Sequence, residues 1–82
     1  MSPARMGGLA YWVSGGSVVG RRGPIAFSRA KELLEFFDAE ARQRRSAGDS
    51  AAALFCLRLA VDLAHAIIAA SEWRRAARVK TH

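Results

Sequence analysis

The 82-residue chain contains a single cysteine, Cys56, so no intramolecular disulfide can staple it, and a reducing cytosolic home fits. Cys56 falls within an apolar row, which marks it as a small buried hydrophobe rather than a reactive thiol. Proline is nearly absent too. After Pro24 there is none, and after Gly48 there is no glycine, so nothing breaks a helix from Ser50 to His82. Acidic residues are scarce, 7 against 13 Lys plus Arg, which leaves a formal net charge of +6. No secretory signal is visible, because Gly7, Gly8, Gly15 and Gly16 interrupt the apolar residues that follow Arg5. The basic residues are nearly all arginine and alanine is abundant, a bias that points to a bacterial chain of high coding GC content. A single domain of this length buries only about 60–65% of its unfolded surface and needs a staple or a partner.

The stretch from Asp49 to Val79 reads as one long helix. Asp49 and Ser50 are good N-cap residues, and Ala51, Ala52 and Ala53 follow with high helix propensity. Wound at about 100° per residue, it shows two apolar rows on roughly opposite sides. One is Leu54, Leu57, Val61, Ala64 and Ile68; the other is Cys56, Leu59, Leu63, Ile67 and Ala70. Arg58, Asp62, His65 and Glu72 form a narrow polar stripe. Such a helix expects burial on two sides. A membrane span is the competing explanation, but Arg58, Asp62 and His65 would lie inside it at high cost, so no membrane role is expected.

Ahead of it, Ser28 reads as the N-cap of a first helix over 28–47, with Ala30, Leu33, Leu34, Phe37 and Ala41 on its core face. Lys31–Glu35, Asp38–Arg42 and Glu40–Arg44 are i,i+4 pairs on its solvated side, and Phe36 falls off the core face. Gly48 is placed to end this helix in a left-handed conformation. The short turn before the second helix makes the two antiparallel neighbours, and the longer one overshoots near Trp73. Residues 1–8 lack periodicity and are expected to fray. Leu9 to Val13 and Val18 to Arg22 around Ser14-Gly15-Gly16-Ser17 read as a β-hairpin, with Val13 facing Val18 and Trp12 facing Val19; a flexible Gly-rich arm is the alternative for residues 1–24. Gly23-Pro24 reads as a turn. The hairpin would cover the overhang and bring Tyr11, Trp12 and Trp73 together.

The expected architecture is therefore a single mainly α domain over 1–82: an antiparallel two-helix hairpin with a small N-terminal β-hairpin or arm, completed by oligomerisation into a helical bundle. The association surface is drawn from Leu54, Leu57, Val61 and Ile68, or from Leu59, Leu63 and Ile67, with Phe36. A dimer is favoured, and a host protein of different sequence would serve the same rows.

Chemistry-bearing motifs are few. Gly15 to Gly20 has the glycine spacing of a phosphate-binding loop, but Arg21 and Arg22 stand where Lys and Ser or Thr are required. Asp62 and His65 lie a turn apart without the further ligands a metal site needs. No enzyme, metal or cofactor is expected. Antiparallel helices should gather Arg21, Arg22, Arg29, Arg74, Arg75, Arg78 and Lys80 at one end, a footprint for nucleic acid or another polyanion.

Gly48-Asp49 with Ala53, Leu57 and Ala60 resembles the second half of a tetratricopeptide repeat, with Phe37 and Ala41 in fitting places, but Glu40 and Arg44 depart from it and only one unit is present. The strand-helix-helix order with basic charge is similar to ribbon-helix-helix repressors, which implies a strand ribbon in the DNA major groove; Gly23-Pro24 interrupts the chain where that family enters its first helix. The function expected is a small non-enzymatic interaction or regulatory protein that self-associates and binds a macromolecular partner. The alternative is a basic DNA-binding regulator.

Overall fold

A computed structural model describes residues 9–80; the fraying expected of residues 1–8 lies outside them. Three short strands, β1 (Trp12–Ser14), β2 (Ser17–Gly20) and β3 (Gly23–Ile25), precede two helices, α1 (Phe27–Ser46) and α2 (Ser50–Lys80). The chain is mostly helical, about 70%.

The strands form an antiparallel meander in the order β1-β2-β3. Trp12 pairs with Val19 and Val13 with Val18, in the expected register. Gly15, at φ 61°, supplies the left-handed residue of the β1–β2 turn. The third strand replaces the turn expected at Gly23-Pro24. The reversal falls instead at Arg21-Arg22, and Gly23 at φ 122° lets the chain turn back there, so that Gly23-Pro24-Ile25 returns alongside β2. Pro24 is tolerated because β3 is an edge strand, where a missing N–H breaks no ladder. A third strand also answers the marginal stability of a bare hairpin.

Alternation sorts the sheet into two faces. Val18, fully buried, lies between Val13 and Ile25 on the inner face, while Trp12, Val19 and Pro24 share the outer one. Gly20 is buried on the inner face, where an added Cβ would stand 3.1 Å from Ile25 Cδ1 and 3.2 Å from Tyr11 Cε1.

Because β3 runs straight into α1, the helix begins at Phe27 rather than after Ser28. Ala26 occupies the N-cap with extended backbone and no side-chain hydrogen bond. Gly48, at φ 86°, ends α1 as expected, and Asp49 Oδ1 accepts the Ala52 N–H at 3.1 Å to cap α2. Arg42–Asp38 (2.9 Å) and Arg44–Glu40 (3.3 Å) form; in place of Lys31–Glu35, Arg29 pairs with Glu32 at 3.4 Å.

The helices meet along small residues. Ala30, Ala41, Ala53, Ala60, Ala66 and Ala70 are all buried, and the only large side chains fully buried among the described residues are Leu63 and Val18. Tyr11, Ile25, Phe27, Leu33, Leu34, Phe37 and Ile67 close around that centre. Alanine lets two helices approach closely but removes little apolar area from water, so the core is thin for its length. The molecule itself is a slab, 53 × 32 × 17 Å.

Candidate interaction surface

The structure resolves which row of α2 faces α1. Leu63 is fully buried and Cys56, Leu59 and Ile67 are half-buried, so that row belongs to the core. The other row is open: Leu54 is 65% exposed, Leu57 40%, Val61 48% and Ile68 54%, with only the small Ala64 half-buried among them. The choice follows side-chain size. Ala53 and Ala60 flank Leu63 on one side and Ala66 and Ala70 on the other, all of them buried, whereas the far flank of Val61 carries Arg58 and His65. Those alanines were the signal in the sequence that distinguishes the rows.

The sheet takes another side of α2. Asp62 Oδ2 accepts the Ala10 N–H at 3.3 Å, which gives this polar-stripe residue a structural task. Twelve residues on, the Arg74 Nε donates to the Gly16 carbonyl at 2.7 Å, and its guanidinium lies 4.2 Å over the Phe27 ring. The hairpin therefore touches the overhang of α2 at Trp73 and Arg74 without covering it, since residues 72–76, 78 and 79 stay exposed; Gly16 sits so close to Trp73 and Arg74 that a Cβ there would come within 2.9 Å of both. The expected meeting of three aromatics does not occur in that form. Tyr11 turns to Phe37 (6.2 Å), Phe37 meets Phe36 edge-on (5.7 Å), and Trp73 remains 54% exposed. Phe36 is 56% exposed and stands with this aromatic group, about 100° around α1 from Phe37. Phe55, which fits neither row, is 65% exposed and lines a shallow hollow with Leu9, Arg21, Arg58 and Asp62.

The arginines fall into two groups rather than one. Arg21, Arg22 and Arg29 line a hollow beside Tyr11 and Leu33 at the β2–β3 turn, and Arg21 also reaches Phe55, Arg58 and Asp62 of α2. Arg74, Arg75 and Arg78 gather around Ser71 and Phe27 near its C-terminal end. The separation arises because the two turns of a meander lie at opposite ends of the sheet: Gly16 is beside Arg74 in the C-terminal part of α2, and Arg21 is beside Phe55, Arg58 and Asp62 further back along it. The side chain of Lys80 lies outside the described part.

Among the described residues no cluster of His, Cys, Asp and Glu could hold a metal ion. By length and composition α2 could cross a membrane, with mean hydropathy 1.8 over its most apolar window. Compared with protein-family models, with curated proteins and with solved structures, the chain matches none.

Proposed function

We propose that this is a small non-enzymatic interaction protein that works by self-association through the open row of α2 and presents the resulting assembly to a macromolecular partner. The observation that carries the proposal is the imbalance of burial. Among the described residues eleven large hydrophobic residues are exposed while two large side chains are fully buried, and four of the exposed ones stand in a line on one helix. Contiguous exposed apolar surface of this kind marks an association site. A chain of this size has little stability with which to offset it. An aqueous, cytoplasmic setting agrees with α1, which lies along α2 and carries Lys31, Glu32, Glu35, Asp38, Glu40, Arg42, Arg44 and Arg45. Drawing that helix into a bilayer with α2 would cost several kcal/mol per charge near the centre. Light scattering coupled to gel filtration tests the proposal: a mass of twice the chain or more supports it, and a folded monomer at high micromolar concentration refutes it.

A second reading, a basic DNA-binding regulator, is favoured by the arginine groups at Arg21/Arg22/Arg29 and Arg74/Arg75/Arg78, exposed on a chain of net charge +6. A salt-dependent mobility shift with duplex DNA would support it.

A further inference from the structure

We propose that the open row of α2 is occupied by the same row of a second copy running antiparallel, about a two-fold axis level with Asp62 and Leu63. This rests on the self-association proposed above and specifies its partner and geometry.

The row has the spacing of a helix-to-helix seam. Leu54, Leu57, Val61, Ala64 and Ile68 follow one another at alternating steps of three and four, the 3.5-residue period of knobs-into-holes packing. Wound at about 100° per residue the five span only about 80° of the circumference, narrower than a stripe that lies on a broad apolar surface. Arg58, His65 and Glu72 border it on one side and α1 on the other, which leaves room for one helix.

Charge decides the orientation. From Ser50 to Trp73 the only Lys, Arg, Asp or Glu residues of α2 are Arg58, Asp62 and Glu72; Arg74, Arg75 and Arg78 follow together. Parallel pairing would set those three arginines beside their copies at one end of an assembly whose chains each carry +6. Antiparallel pairing sends them to opposite ends, about 40 Å apart at 1.5 Å per residue.

The ends also fix the register. Arg75 continues the line of Leu54, Val61 and Ile68 at seven-residue steps. With the axis between residues 62 and 63, Arg75 comes level with Asp49 and Ser50 of the second copy. Glu72 comes level with the first turn of that copy's α2, where an anion is favoured and where Asp49, the cap, is followed by no further acidic residue. In the same register Leu57 faces Ile68 of the second copy, and Val61 faces its Ala64, large against small at the centre. A shift of one heptad in one direction leaves both Arg75 and Glu72 beyond the partner helix, and in the other it sets Arg75 against Leu57, inside the apolar row.

The test uses the full chain with Cys56→Ser, carrying either Leu57→Cys or Ile68→Cys, the two variants oxidised separately and after mixing. Linked dimers should form at least about tenfold faster in the mixture than in either variant alone, since only unlike positions meet. Leu57→Cys chains that link to one another as fast as the mixture overturn the antiparallel arrangement while leaving self-association intact. A wild-type monomer, including one that partitions onto phosphatidylglycerol vesicles instead, overturns self-association and the geometry with it. A second measurement avoids new cysteines in the seam and leaves the Asp49 cap in place: Arg75→Glu should weaken the dimer by about tenfold, and Ser50→Arg added to it should recover most of that affinity. A double variant no tighter than Arg75→Glu alone overturns the register.

Discussion

Replacing Val61 with glutamate should abolish association and leave the chain folded, whereas glutamate two residues later, at Leu63, should unfold it. Val61 is 48% exposed in the single chain, and Leu63 is fully buried against α1 and the sheet. A carboxylate at position 61 therefore stays solvated in the monomer. In a paired seam it would forfeit the roughly 1 kcal/mol gained by burying the exposed half of a valine. It would also add a desolvation penalty of several kcal/mol per ion. Both copies carry the change, so the dimer constant should fall by more than about a thousandfold, at about 1.4 kcal/mol per tenfold. At Leu63 truncation to alanine alone would cost about 2–5 kcal/mol, through the apolar burial forfeited and the cavity left behind. A domain of this size holds roughly 4–12 kcal/mol in total, and a buried charge takes most of it. Gel filtration with light scattering reads the mass, and far-ultraviolet circular dichroism reads the fold. A Val61→Glu protein that retains the wild-type oligomer, or one whose helix signal disappears, would refute this reasoning, as would a Leu63→Glu protein that melts like the wild type.

Further expectations concern the fold and the charge. The circular dichroism of the wild type should correspond to about 70% helix, and a spectrum dominated by strand or coil would contradict the two long helices. Gly20→Val should destabilise by about 1–3 kcal/mol in urea melts, because its side chain would collide with Ile25 and Tyr11 on the buried face of the sheet. Asp49→Ala should cost about 1 kcal/mol by removing the cap on the Ala52 N–H, and Asp49→Asn should retain most of it. If the basic groups engage polyanions, alanine at Arg74, Arg75 and Arg78 should lower heparin affinity and flatten its salt dependence, by nearly one unit of logarithmic slope for each anionic group no longer neutralised. Wild-type protein that ignores heparin at low salt would leave those arginines as helix-end charges only.

What was legible in the sequence was local. The two helices follow from alanine-rich, glycine-free and proline-free runs bounded by Gly48 and Asp49. The register of β1 with β2 follows from Ser14-Gly15-Gly16-Ser17, since a two-residue turn leaves a single way to pair Val13 with Val18. The existence of two apolar rows on α2 is likewise periodicity alone. Which row stays open was not legible from hydrophobicity, because both rows are equally apolar. Tertiary packing decided it by size: the small alanines on either side of Leu63 are buried with it, and the Val61 side was left outside. The third strand and the division of the arginines were non-local as well. Pro24 argued for a turn by its own chemistry, and only pairing against Val19 at a sheet edge made it a strand. That extra reversal carried Arg21 and Arg22 to the far end of the sheet from Arg74. Chain order cannot report this, because the direction of a returning strand is set by what it pairs with and not by its own residues.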